Sequence, residues 1–383
     1  MARKMKDSGI EWIGEIPEGW SIARGKHILT LLQRAVFPTD GIITCFRDGE
    51  VTLRSNRRED GFTVSLKEIG YQGIEPGDLV VHGMDGFAGS IGISDSRGKS
   101  SPVLVVLDSS QDKKYLMYYL RSMAYNNVFL ALSTGIRVRS CDLKWNKLAD
   151  LLYLVPPIVE QHKLVSFLDE KCSEIDAMLS KTRASIEEYK KLKQAVITQA
   201  VTKGVRGERE MKDSGVAWIG EIPADWTIQR FARVAEVKSN LVSPDNYLEY
   251  PQISPENIEK DSGKLLLPCK TVAEVGVISG NHLFYKGQIL YSKIRPKLNK
   301  VCIAPFDGLC SADMYPIETN NDTRYIMYCI LSNGFLQQVS MITENRVKMP
   351  KINQVELSKI LVAMPCFLAE QKEIADYLDA KCA

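Results

Sequence analysis

MKDSGIEWIGEIPEGW at residues 5–20 returns as MKDSGVAWIGEIPADW at 211–226, with twelve of sixteen positions identical at an offset of 206. Solenoid and propeller repeats have periods of roughly 20–50 residues, so a period this long reads as a duplicated domain. Further pairs agree at an offset of 210: YLMYYL at 115–120 with YIMYCI at 325–330, EQHKLVSFLDEKC at 160–172 with EQKEIADYLDAKC at 370–382, and EPGDLVV at 75–81 with YKGQILY at 285–291. One unit therefore runs from about residue 5 to 204 and a second from about 211 onward. Their edges match and their middles differ, as expected of one scaffold carrying two different surfaces.

The middles read as mixed α+β domains. ILTLL, IITCF, GDLVVHG and SPVLVVLD are apolar or alternating runs broken by Gly, Pro and Asp, which predicts short strands. A helix is expected over 111–132, with Leu116, Tyr119, Leu120 and Met123 on one face. The second unit repeats this order, with strand-like YPQISPENI, GQILYSKI and KVCIAP and then a helix over 322–340. Trp12, Trp20, Trp218 and Trp226 are expected to anchor the repeated leading peptides by packing.

Residues 158–203 are different. Pro156-Pro157 disfavours helix before it, and neither Gly nor Pro follows until Gly204, which makes a helix stop after Lys203. A helix over this stretch would be about 69 Å long at roughly 1.5 Å per residue. Leu168, Cys172, Ile175, Leu179, Thr182, Ile186 and Tyr189 alternate steps of four and three, a coiled-coil seam. So narrow a stripe on so long a helix calls for a partner helix. The matching stretch of the second unit ends soon after Cys382, so the second such helix is expected to be truncated and the partner to come from another copy or another protein.

The whole chain of 383 residues is 45% hydrophobic and 25% charged, ordinary for a globular protein. It lacks an apolar run of membrane-spanning length and a signal-peptide core. Nine cysteines without a CxxC pair read as reduced thiols in a cytoplasm. Net charge is only +2, but the basic residues cluster: Arg47, Arg54, Arg57 and Arg58; Arg137, Arg139, Lys144 and Lys147; Lys293, Arg295, Lys297 and Lys300. Such clusters bind phosphate through counterion release or form solvated faces.

Signs of catalysis are missing. Amino-methyltransferases carry (Asp/Asn)-Pro-Pro-(Tyr/Phe), and the one Pro-Pro here is VPPI at 155–158. Gly86, Gly89 and Gly92 lack the strand–turn–helix setting of a nucleotide loop. His27, His82, His162 and His282 are too dispersed to predict a metal site. Asp85 and Asp313 read as isolated turn carboxylates.

The repeated WIGEIPxxW peptide, the PP(I/L)xEQ helix start at Pro156–Gln161 and the duplicated layout together resemble the specificity subunit of type I restriction-modification systems. FRDGEVTLRSNRREDGF at 46–62 with IGYQGIEPGDLVVHGMDGFAGSIGIS at 69–94, and QISPENIEKDSGKL at 252–265 with ILYSKIRPKLNKVCIA at 289–304, are similar to recurring target-recognition domains of that family. The run Cys366–Ala369 inserts one residue before Glu370-Gln371 relative to the first copy.

The resemblance implies an α+β fold with two target-recognition domains in tandem, over 1–157 and 205–367, each opened by a leading peptide (5–20 and 211–226). It implies spacer helices over 158–204 and, truncated, 368–383. Each domain would read one half of a split site in double-stranded DNA and present it to modification subunits that methylate adenine. A restriction subunit would add translocation and cleavage. The chain itself would be non-catalytic and bind no cofactor, with S-adenosylmethionine, ATP and magnesium on the partner subunits. Alternatives are a structural coiled-coil adaptor, or the specificity subunit of a related methyltransferase-nuclease system without a separate restriction subunit.

The DNA contacts are expected from Arg54, Asn56, Arg57 and Arg58, which mix guanine-type and adenine-type readers. Arg137, Arg139, Lys293, Arg295, Lys297, Arg346 and Lys348 complete the set. Arg137 and Arg346 follow the middle helix at nearly matching places, which suggests a shared backbone contact. Spacer packing is expected from Leu168, Cys172, Ile175, Leu179, Ile186 and Tyr189, with self-association where that seam lacks a partner.

Overall fold

The computed structural model describes residues 3–57, 68–131, 143–346 and 350–382. The chain divides into two compact units, 1–179 and 180–383. In the first, β1 (Leu29–Leu31), β2 (Leu79–His82), β3 (Ile91–Ile93) and β4 (Leu104–Ser109) form an antiparallel sheet in the order β1-β4-β2-β3, and β4 leads into helix α1 (Lys113–Tyr125). Leu79, Val81, Ile91 and Leu107 from the sheet meet Leu116, Leu120 and Met123 of α1 in one core. Strand alternation and helical spacing each aim one apolar face there.

Helix α2 spans Ile158–Lys203 without a break, as the run free of Gly and Pro predicts. In the second unit β5 (Glu236–Val237), β6 (Ile289–Ser292), β7 (Val301–Ile303) and β8 (Met314–Glu318) repeat the first sheet in the order β5-β8-β6-β7. Helices α3 (Thr323–Leu331), α4 (Asn333–Thr343) and α5 (Leu368–Cys382) follow. The last turns of α2 contribute Ile197, Ala200 and Val201 to this unit's core, beside Trp226 and Ile374. The leading peptides fold as hairpins, Met5–Asp7 with Glu15–Pro17 and Met211–Asp213 with Glu221–Pro223.

The shared frames carry different additions. The first unit adds two small ribbons, Ile43–Cys45 with Val51–Leu53 and Gln72–Ile74 with Gly98–Ser100. The second adds a four-stranded sheet of Leu241–Val242, Asn281–Phe284, Gly308–Cys310 and Gln252–Ile253, whose last pair is parallel. This sheet has its own apolar core around Ile253, Phe284 and Cys310.

One expected helix is two. The stretch 322–340 breaks at Ser332, which is extended (φ −67°, ψ 152°) and caps α4. Its hydroxyl donates to the Cys329 carbonyl (2.7 Å) and accepts from the Phe335 N–H (3.4 Å). Asn299 donates to the freed Leu331 carbonyl (3.1 Å). Satisfied ends make the break inexpensive. In the first unit the helix expected over 111–132 likewise stops at Tyr125, and Val128–Ala131 forms a separate turn.

The two frames share one joint. Gln161, buried near the start of α2, accepts from the Asp112 N–H (3.0 Å) and donates to Gln111 (2.7 Å) and to the Pro156 carbonyl (2.8 Å). Gln371 near the start of α5 accepts from the Asp322 N–H (3.0 Å) and donates to Asn321 (3.1 Å) and to the Pro365 carbonyl (3.5 Å). Gln371→Leu keeps the volume but strands these buried groups, and an unsatisfied buried group costs about 1–3 kcal/mol. Urea unfolding of the chain should show a loss of that size in the transition of the second unit.

Candidate nucleic-acid interface

The cations picked out by the sequence fall into three states. Some are engaged by their own unit. Arg57 pairs with Asp48 (2.6 Å) and Glu50 (2.9 Å) and lies 4.2 Å over the Phe46 ring. Asn56 donates to Thr52 (2.9 Å), and half-buried Arg54 donates to Thr44 (3.3 Å). Together they stabilise the ribbon Ile43–Cys45/Val51–Leu53 and its turn. Arg47 reaches across to Asp85 (3.1 Å).

Arg346 is also engaged. Its guanidinium grips the Glu356 carboxylate and the Lys351 carbonyl, which ties the end of α4 to the Asn353 capping box. The partner of this comparison, Arg137, lies outside the described residues, as do Arg58, Arg139 and Lys348.

The third state is found in the loop after β6. Lys293 sits 5.0 Å over the Tyr315 ring, and Lys300 donates to the Pro255 carbonyl (2.7 Å). Between them Arg295 and Lys297 are exposed and make no side-chain hydrogen bond or ion pair among the described residues. Arg295 and Asn299 both lie in the left-handed region, at φ 44°. That region is uncommon for residues other than Gly, with Asn and Asp the usual exceptions, so the arginine is the unusual one. Beside it opens a cavity of about 280 Å³, lined by Ser254, Glu256, Ser292, Ile294, Arg295 and Leu298 among others.

A larger groove along the end of α2, about 1260 Å³, collects Lys190, Lys191, Lys193, Lys203 and Lys260. Its charge is partly compensated within the groove: Lys190 pairs with Glu187 (2.7 Å) and Lys260 with Asp261 (3.6 Å). Lys191 and Lys203 of the groove are exposed outside these pairs; the loop after β6 differs in holding an exposed arginine on a left-handed backbone.

The tryptophans of the leading peptides differ: Trp12 is exposed with its ring 6.1 Å from Tyr119, and Trp20 and Trp218 are half-buried. Trp226 is fully buried, and Trp20 donates to Glu160 (2.7 Å), which also binds Arg3 (2.6 Å). Buried Glu370, the counterpart of Glu160, takes Arg209 (2.5 Å). Of the seam residues of α2, Leu168 is half-buried, and Cys172, Ile175, Leu179, Ile186 and Tyr189 are exposed. Glu256 escaped the reading of the sequence, because nothing in PENI marks a carboxylate that the fold brings beside Arg295. The Gln161 and Gln371 joint was visible only as a repeated Glu-Gln pair.

Arg346 holds the Glu356 carboxylate below its ordinary value of 4.5 through their hydrogen bonds. A depressed carboxylate contributes stability that is present above the ordinary value and lost as pH falls through the lowered one. The stabilising effect of the pair should therefore fade below about pH 4.5. Thermal unfolding of Glu356→Gln should lie below the wild type at neutral pH and converge with it in acid. A gap of constant size across that range would show that the pair is not what the variant removed.

Residues 223–381 match the family model described as the type I restriction modification DNA specificity domain. The chain is 36% identical over 242 residues to the type I restriction enzyme EcoDI specificity subunit of Escherichia coli. That match covers 59% of this chain and 54% of the relative, so it spans about half the relative's length. A putative type I restriction enzyme MjaX specificity subunit of Methanocaldococcus jannaschii is 23% identical over 400 residues, covering 96% of this chain and 88% of the relative. Among solved structures, a chain from a study of complex assembly and conformational transition of the type I R-M system has a TM-score of 0.65 at 14% identity, over 95% of this chain and 90% of that one. The HsdS subunit from Thermoanaerobacter tengcongensis gives 0.51 at 15% identity, over 96% and 90%. At these identities the structures establish a common α+β fold.

Proposed function

We propose that the chain, which is similar to type I restriction-modification specificity subunits, is the sequence-reading subunit of such a complex. Residues 1–157 and 205–367 each read one half of a split site in double-stranded DNA. The observation that carries this reading is the pairing of one frame with two different additions. The sheets β1-β4-β2-β3 and β5-β8-β6-β7 have the same order, while the outer strands differ in number and pairing. A purely structural spacer has no need of two different surfaces. An asymmetric reader does, because base contacts must differ between half-sites while phosphate contacts only fix register.

In this reading the chain performs no chemistry. Methyl transfer with S-adenosylmethionine belongs to modification subunits, and ATP- and magnesium-dependent translocation and cleavage to a restriction subunit. No helix among the described residues is long and apolar enough to cross a membrane. Residues 158–204 and 368–383 act as spacer. The exposed stripe through Leu179, Ile186 and Tyr189 packs against a helix supplied by another subunit.

The test is selection from a random duplex pool by the purified chain together with its modification subunits, at stated salt. Recovery of a two-part motif with an unread gap of constant length is expected. Uniform recovery of all sequences would overturn the reading and favour an adaptor.

The spacer makes a second prediction. One extra helical turn inserted near Ala184 lengthens α2 by about 5.4 Å. On B-DNA, at roughly 3.4 Å per base pair along each strand, that is on the order of one to two base pairs. Methylation-site mapping should show both half-sites intact and the gap lengthened. An unchanged gap would remove the spacer role from α2.

A further inference from the structure

The cavity beside the loop after β6 is built in an unusual way. Two cations line it: Lys300, which donates to the Pro255 carbonyl (2.7 Å), and Arg295, which is held at φ 44° and ψ 53°. The backbone around it is fixed from every side. The Arg295 N–H donates to the Pro350 carbonyl (2.7 Å), and its own carbonyl accepts from the Leu298 N–H (2.8 Å). Pro296 and Asn299 are buried, and Asn299 is pinned to the Leu331 carbonyl at the end of α3 (3.1 Å). The Ile352 N–H donates to the Lys293 carbonyl (2.9 Å). A sparsely populated conformation persists when its surroundings over-determine it, and such residues gather at ligand-binding positions. Here the backbone is locked and the side chain is exposed, without a hydrogen bond or ion pair among the described residues.

The same cavity is lined by a carboxylate, Glu256. It projects from a short turn after Gln252–Ile253, a turn fixed by the Ser254 N–H donating to Asn257 Oδ1 (2.8 Å). Glu256 is exposed and makes no side-chain hydrogen bond or ion pair among the described residues. Opposite charges therefore line one cavity without neutralising each other. A phosphate would suit Arg295 and be repelled by Glu256. A G·C pair suits both: the major-groove edge of guanine offers two acceptors, O6 and N7, to a guanidinium fork, and cytosine offers its N4 amino donor to a carboxylate. Lys297 is exposed and lies outside this cavity, in a separate hollow that Glu344 also lines; it makes no ion pair among the described residues, and its ammonium suits a phosphate as a point charge.

We propose that Arg295 and Glu256 together read one G·C base pair of the half-site assigned to the second unit, and that Lys297 contacts a neighbouring phosphate. This rests on the reading of the chain as a DNA reader. It divides the loop after β6 into a specificity pair and a positioning residue.

The experiment uses the intact chain with its modification subunits. It measures binding to the selected duplex and to duplexes with every single base-pair change, at several salt concentrations. For Arg295→Gly, which suits the left-handed backbone, discrimination at one G·C position should fall by roughly 5- to 150-fold, the value of one bidentate contact. Other positions should keep their preference. Glu256→Gln should relax the same position and no other. Lys297→Ala should weaken all duplexes alike and lower the slope of log affinity against log salt by roughly 1.

Three results would overturn the assignment: uniform weakening by Arg295→Gly with a lowered salt slope, relaxation of two different positions by Arg295→Gly and Glu256→Gln, or unchanged discrimination in both. Absence of any sequence preference in the wild-type complex is a separate result and would sink the DNA-reader reading itself.

Discussion

The buried glutamine at the start of each long helix is the constraint on which both units depend. One side chain holds three chain segments together. In the first unit these are α2 itself, the N-terminus of α1 with the residue before it, and the end of strand Leu152–Val155. Gln371 does the same for α3 and strand Leu361–Met364. An amide suits this junction because it donates and accepts at once. The segments on either side have buried backbone groups at their ends that need partners. Around it the pattern repeats down to single atoms. Asp112 and Asp322 each accept from two N–H groups at the start of α1 and α3. Asp169 takes Lys114 and Tyr118, and Asp379 takes Arg324 and Tyr328.

That joint explains how two units with so little sequence in common keep one sheet order. The frame is specified by a few polar closures and by apolar faces that tolerate exchange of similar volume. Tyr115 donates to the Leu154 carbonyl and Tyr325 to the Ala363 carbonyl, although the strands they meet read LYLV and LVAM. Positions away from the closures are free to diverge. The outer strands do so, giving two ribbons in one unit and a four-stranded sheet with its own core in the other.

Much of this is legible in the amino-acid sequence. The repeated leading peptide and the Glu-Gln pairs marked the duplication, and the run without Gly or Pro gave both ends of α2. The break at Ser332 was not legible. Apolar periodicity continues through it, and the competing partners, Asn299 and the Ser332 hydroxyl, act through a close tertiary contact. Gly334, inside α4, is a separate matter: a Cβ there would lie 3.3 Å from the Trp218 carbonyl in the leading peptide. Clusters of charge were legible as clusters, but composition along the chain does not say which cations are already paired. Arg57 and Arg346 look in sequence like Arg295. The fold gives the first two carboxylate ion pairs, and the third makes none among the described residues.

That difference has a physical origin in where the divergent parts attach. Arg57 belongs to a small ribbon whose strands are three residues each, and so short a ribbon needs its charged side chains to hold its own turn. The loop of Arg295 is held instead by backbone hydrogen bonds and by buried Asn299 and Pro296. Because the backbone supplies the rigidity, the guanidinium is not required for it. A side chain that is not needed to maintain its own loop is available to a ligand, and one already fixed at its Cα loses less freedom on binding. The left-handed arginine is thus a consequence of how its loop is anchored, and its fork, unpaired among the described residues, lies where the fold has already supplied the order.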